Sequence, residues 1–214
     1  MKVNCVSLNC SECCRKYWIT ILPTELKKAA KLMRLGEKSF IEKYCVLHLN
    51  LFPAHNADSG LGVSSVFLPK KIAQKIRAQT GGLHSHYILL PSIAFKREKS
   101  ACTFLSRNMC RIYSARPRQC ALFPFISIAQ KNLPREYPFC KALSQRNARI
   151  PKDLLEKTQL LDISSYFKSV SKKGFGKIWK FLPKKGVVCL ENNFLCGISK
   201  KDFLELVSMA KISV

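Results

Sequence analysis

Eight cysteines in two groups constrain this chain more than any other feature. The first group, Cys5, Cys10, Cys13 and Cys14, is packed into ten residues. The second is spread over Cys102, Cys110, Cys120 and Cys140, with seven, nine and nineteen residues between successive sulfurs. Cys10 and Cys13 have the two-residue gap with which a single turn aims two thiolates at one ion. The wide gaps of the second group need a folded scaffold to bring their sulfurs together. Zinc and iron–sulfur centres both require several thiolates converging on metal. Adjacent cysteines strain a chelate on one ion. The Cys13–Cys14 pair therefore points to two centres, or to one ligand beside a bridging or spare thiol.

The chain holds eleven cysteines in 214 residues, an odd number, so disulfides cannot pair them all. Its first residues, Met1-Lys2-Val3-Asn4-Cys5, lack the apolar stretch of a secretory signal. No apolar run is long enough to cross a bilayer, and Tyr87 to Phe95 is among the best. The expectation is a cytoplasmic protein without a transmembrane segment, whose thiols stay reduced and whose clustered cysteines bind metal. Disulfide or thiol-redox chemistry is the alternative for the same eight. Cys45, Cys189 and Cys196 stand apart and read as small core residues. Pro117, Pro124 and Pro138 pin the loops of the second group. Arg107, Arg111, Arg116 and Arg118 surround it, and cations lower thiol pKa values and offset an anionic cluster.

Along the chain, Tyr17–Leu22 reads as a strand. Pro23-Thr24-Glu25 opens a helix that Thr24 caps and Gly36 ends. Phe40–Leu51 suggests a second helix, Val63–Leu68 a strand and Pro69–Gln79 a helix. Tyr87–Leu90 and Ile93–Phe95 read as strands separated by Pro91, and Lys96–Ser100 as a turn. Further on, Pro151–Leu161 reads as a helix and Val187–Leu190 as a strand. Ser199 caps a last helix with Phe203, Leu204 and Val207 on one face. The fold class expected is α+β: a small cysteine- and metal-stabilised domain over residues 1–148, then a basic, mostly helical extension over 149–214.

Thirty-seven Lys and Arg against 13 Asp and Glu give a net charge of +24, a field that favours polyanions. Tyr166–Lys185 concentrates it, with Lys168, Lys172, Lys173, Lys177, Lys180, Lys184 and Lys185 among Tyr166, Phe167, Phe175, Trp179 and Phe181. Such a stretch can bind nucleic acid, an acidic protein or a membrane surface. The simpler reading is a solvated basic face over buried aromatics. His48 and His55 are isolated, and His84-Ser-His86 reads as a surface pair. No phosphate loop, dinucleotide fingerprint or nucleophile elbow is present, which weakens hydrolase, kinase and NAD-enzyme readings. No catalytic residue is assigned.

The motif pieces fall in a specific order. Cys10-x-x-Cys13-Cys14-Arg precedes an Ile19-x-Ile21-Leu22-Pro23-x-Glu25 helix start. Then come Cys102-x-Phe104-Leu105 and Cys110-x-Ile112-Tyr113-x-x-Arg116-Pro117-x-x-Cys120-x-x-Phe123-Pro124. Over roughly residues 4–141 this resembles the YkgJ-type cysteine-cluster family, described as zinc- or iron-chelating and sometimes as iron–sulfur oxidoreductases. There are three departures. Four residues separate Cys5 from Cys10 where the family has two, Glu12 stands for Gly, and Ala121 stands for Arg. The resemblance implies metal chelation by Cys5, Cys10, Cys13, Cys14, Cys102, Cys110, Cys120 and Cys140. The cofactor is then zinc or iron, the latter including a [4Fe-4S] cluster. Three roles follow: a structural or electron-transfer metal protein, a nucleic-acid-binding module stapled by metal, or an iron–sulfur component of a redox enzyme.

Overall fold

The computed structural model describes residues 8–53, 68, 70–80, 87–123, 138–141, 181, 184–190 and 194–209, and its architecture is α+β, with short helices and small sheets. The described residues fall into two units. One draws on residues 1–37 and 95–162, the other on 38–94 and 163–214. Cys5, the expected strand from Val63, the pair His84 and His86, the expected Pro151 helix and Tyr166–Lys180 lie outside the described residues.

In the first unit, helix α1 (Glu12–Lys16) carries Cys13 and Cys14. Glu12 in its first turn and Arg15 and Lys16 in its last complement the helix dipole. Strand β1 is the pair Thr20–Ile21, inside the stretch expected to be extended. Helix α2 (Pro23–Leu32) starts earlier than a Thr24 cap implies. Pro23 takes the first helical position, where its missing N–H costs nothing, so Leu22 becomes the capping residue. Glu25 accepts the Leu22 N–H at 3.0 Å, and its other oxygen accepts the Arg118 N–H at 2.7 Å. Arg118 opens helix α5 (Arg118–Leu122), so one carboxylate serves two helix starts.

The end of α2 also differs from expectation. Arg34, not Gly36, takes the left-handed conformation, at φ 54°. The Leu35 N–H returns to the Ala30 carbonyl and the Arg34 N–H to that of Lys31, both at 3.0 Å, a Schellman closure.

Two hairpins then deliver cysteines. Strand β4 (Arg97–Glu98) pairs with β5 (Ala101–Cys102), and β6 (Leu105–Ser106) pairs with β7 (Met109–Cys110). Both turns use two residues of positive φ: Lys99 and Ser100 at 47° and 62°, Arg107 and Asn108 at 47° and 60°. That geometry matches the twist of paired strands. Between the hairpins Phe104 is fully buried and meets Phe95 edge-on, ring centroids 4.7 Å apart.

The second unit begins with helix α3 (Glu37–Tyr44), which buries Phe40, Ile41 and Tyr44. The helix expected to continue to Leu51 stops there and becomes strand β2 (Cys45–Pro53). From Cys45 the apolar period changes to two: Cys45, Leu47 and Leu49 are all fully buried. Helix α4 (Lys70–Thr80) lies close to its expected bounds. Strand β3 (Tyr87–Phe95) runs unbroken through Pro91, contrary to expectation. Proline's fixed φ suits extended backbone and removes only one donor. Strand β8 (Lys185–Leu190) was foreseen in part, and β9 (Phe194–Ser199) was not. In this unit β3, β2, β8 and β9 stand side by side in that order. β2 and β8 are parallel, and β8 and β9 antiparallel. Helix α6 (Lys200–Met209) is capped as expected, Ser199 Oγ accepting the Asp202 N–H at 3.1 Å. Phe203 is buried, but Leu204, expected on the same face, is 39 % exposed. No helix among the described residues is long and apolar enough to cross a membrane.

Gly186 sits opposite Leu47 in the β2–β8 ladder. A Cβ there would lie 2.4 Å from the Leu47 Cβ and 2.6 Å from its carbonyl oxygen, inside contact distance. Gly186→Ala is expected to destabilise the protein by about 1–3 kcal/mol in urea unfolding. Gly197→Ala, with nothing within 4 Å, is expected to be neutral or slightly stabilising.

His48 is buried on β2 beside Ser92 on β3. Ser92 Oγ donates to the His48 carbonyl oxygen, so the ring Nδ1–H donates to Ser92 Oγ; both distances are 3.1 Å. Burial pushes the imidazole pKa from 6.5 down to about 4. The unfolded chain therefore binds a proton first. The stability tied to this neutral ring is complete above pH 6.5 and is lost as pH falls towards 4. Urea unfolding from pH 7 to pH 4 is expected to show a loss of about 3 kcal/mol that His48→Gln removes.

Candidate metal centre

Four elements of the first unit carry sulfurs: Cys13 and Cys14 on α1, Cys102 on β5, Cys110 on β7 and Cys120 on α5. Cys10 precedes α1, next to the left-handed Asn9 at φ 44°. Cys140 lies buried in the described segment 138–141. None of these seven is in a disulfide.

Hydrogen bonds tie these elements to one another. The Arg97 guanidinium, on β4 opposite Cys102, donates to the carbonyl oxygens of Arg15 and Tyr17 at the end of α1, and to that of Ser100 in its own turn. Asn108 Oδ1, at the tip of the second hairpin, accepts from Ser11 Oγ at 3.2 Å and Arg15 Nη2 at 2.9 Å. Gln119 holds α5: its Oε1 accepts the Thr20 N–H at 2.7 Å and the Thr20 hydroxyl at 2.6 Å. Phe139, beside Cys140, packs against Tyr17 and Phe123 with centroids 5.9 and 6.2 Å away. The Lys16 ammonium lies 4.5 Å over the Phe139 ring.

These ties place four sulfurs in one another's electric field. The Cys14 thiol is lowered from 9.0 to about 7, first by a hydrogen bond from Cys13, against its burial and with help from Arg15 and Arg97. Cys102 moves the other way, to about 12. Burial and the negative sulfurs of Cys14 and Cys110 outweigh Arg97 there. Cys110 is raised by burial and by Cys14, against Arg116 and Arg111. Cys120 is raised well above the ordinary thiol value, first by burial, then by Cys14, Cys102 and Cys110.

Chemically, burial and the Cys14 sulfur both disfavour ionisation of Cys102, Cys110 and Cys120. A cation reverses that balance, because coordinating thiols lose their protons. Clustered sulfur donors suit zinc and iron, so the donor set fits either metal. Among the described residues, no three Cys, His, Asp or Glu side chains already enclose an ion-sized space. The sulfurs are electrostatic neighbours rather than a closed cage.

Of the arginines expected around the thiols, Arg111 and Arg116 act on Cys110, and Arg116 also on Cys120. Arg107 forms a hairpin turn, and the Arg118 backbone meets Glu25. Arg15 and Arg97 are the cations that sequence reading misses. Arg97 faces Cys102 only because a non-glycine turn folds the chain back between them.

No curated protein and no solved structure matches the chain. A family model matches residues 4–141: CxxCxxCC, described as "Putative zinc- or iron-chelating domain". That span includes all eight grouped cysteines. Covering well over half of the sequence, the match shows that the chain belongs to the CxxCxxCC family of zinc- or iron-chelating domains.

Proposed function

We propose that the first unit chelates zinc or iron through cysteines of both groups, in a structural role. The observation that carries this reading is the set of hydrogen bonds that tie the cysteine-bearing α1 to both cysteine-bearing hairpins, with the Cys14 sulfur close enough to act on Cys102, Cys110 and Cys120. A sulfur that makes its neighbours harder to ionise is poorly matched to them and well matched to a cation. Cys13, Cys14, Cys102, Cys110 and Cys120 would hold the metal, with Cys10, Cys140 and Cys5 adding donors from the flanks. Eight sulfurs exceed the four that one tetrahedral ion takes, which favours two ions or a cluster. When bound, the metal supplies the positive charge that lets several thiolates coexist; as an iron–sulfur cluster it adds one-electron redox capacity. The chain's own part is to carry the sulfurs on elements tied to one another and to supply compensating arginines.

Elemental analysis of anaerobically purified, chelator-free protein is expected to find zinc or iron at one or more equivalents. A brown protein with a visible band means iron–sulfur, a colourless one zinc. Cys14→Ser, Cys102→Ser, Cys110→Ser and Cys120→Ser are each expected to lose most of that metal, and Cys45→Ser, in the second unit, to keep it. Metal at background level in the wild type sinks the reading.

The net charge of +24 favours a second reading, in which the metal staples a protein that binds nucleic acid. Salt-sensitive retention on immobilised RNA is then expected, weakened when Lys172, Lys173, Lys177 and Lys180 are changed to Ser. Unchanged retention counts against it.

A further inference from the structure

We propose that Arg97 and Asn108 are positioning residues for the metal centre, docking α1 and its two cysteines onto the cysteine-bearing hairpins without help from metal. The proposal rests on the chelation reading above. Helix α1 has five residues, too few to persist alone. Something must hold it, and polar side chains grip it at both ends. At its C-terminal end the carbonyl oxygens of Arg15 and Tyr17 would lack intrahelical partners; the planar fork of Arg97 reaches both, and Ser100 as well. At its N-terminal end Asn108 Oδ1 gathers Ser11 Oγ, and it takes Arg15 Nη2 from the far end of the same helix.

Each clamp is coupled to a sulfur by a short path. Arg97 is the residue paired with Cys102 across the first hairpin. Asn108 forms the second turn, two residues before Cys110. The side chains that hold α1 thus also set where Cys102 and Cys110 stand relative to Cys13 and Cys14. Metal alone would have to close a loop of roughly 90 residues between the two groups and order a short helix as well. With the clamps in place, that ordering precedes binding, and affinity rises accordingly.

Asn108 has two roles that substitution can separate. Its φ of 60° suits Gly as well as Asn, whereas only an oxygen acceptor can hold Ser11 and Arg15. Asn108→Gly keeps the turn and removes the clamp. Asn108→Asp keeps both. Arg97→Lys keeps the charge and loses the fork.

Two measurements on the full-length protein test this. The first is hydrogen–deuterium exchange after metal has been stripped. Residues 12–17 are expected to stay protected in the wild type and Asn108→Asp, and to lose protection in Arg97→Lys and Asn108→Gly. Helix α2, in the same unit, should be unchanged and so report an intact fold. The second is competition of Zn2+ and Co2+ against a chromophoric chelator. Arg97→Lys and Asn108→Gly are expected to bind each ion about tenfold more weakly or worse, with an altered Co2+ absorption spectrum, while Asn108→Asp stays near wild type. An unprotected α1 in stripped wild-type protein overturns the proposal. So do equal affinities across the set, which leave chelation itself standing. A wild type that takes up neither ion overturns both.

Discussion

Sulfurs brought together in a protein interior repel as thiolates and resist ionisation as thiols. That conflict shapes the first unit. Cys102, Cys110 and Cys120 are each driven towards the neutral form by burial, and each feels the Cys14 charge as a further penalty. Association of the sulfurs alone therefore cannot hold the site together. The attraction comes from elsewhere: the Arg97 fork, the Asn108 and Gln119 side-chain bonds, and the Tyr17, Phe123 and Phe139 rings. A charge-compensated arrangement with a cation is the state to which this scaffold is suited.

The scaffold is economical in side chains. Glu25 serves the starts of α2 and α5 with its two oxygens. Arg97 satisfies backbone carbonyls while lying near two sulfurs. Arg111 donates to the Thr103 carbonyl and lies over Phe104, and it also acts on Cys110. The Glu25–Arg118 bond and the Arg97 bonds to Arg15 and Tyr17 join residues far apart in sequence, so losing either side chain disturbs several elements together.

Much of the chemistry was legible in the sequence, and less of the geometry. Cysteine spacing and motif order were enough to anticipate the family, because ligand type and order survive without knowledge of the fold. The α+β class followed from apolar periodicity. The misreadings have local physical causes. Arg34 closes α2 in a conformation that glycine usually signals, and four non-glycine residues do the same in the two hairpin turns. Phe40–Leu51 reads as helical until the alternation at Leu47, Leu49 and Leu51 is weighed more heavily than the preceding spacing. The turn at Lys96–Ser100 was legible, but the role of Arg97 was not, since it depends on contacts with Arg15 and Tyr17 some eighty residues away. The tie between β2 and β8 was equally hidden, because parallel pairing joins segments more than a hundred residues apart.

That last pairing has a consequence during synthesis. β2 leaves the ribosome with its Leu47–Leu51 edge complete, yet the strand that covers it, from Gly186 to Leu190, has not been translated. At common elongation rates the edge waits on the order of ten seconds for its neighbour. An apolar strand left open that long is a template for pairing with another chain. Here Pro53 closes the end of the strand, and Asn50 interrupts its apolar run. For the nascent chain, then, the exposure lasts until late in synthesis, and it concerns an edge that the finished protein no longer has.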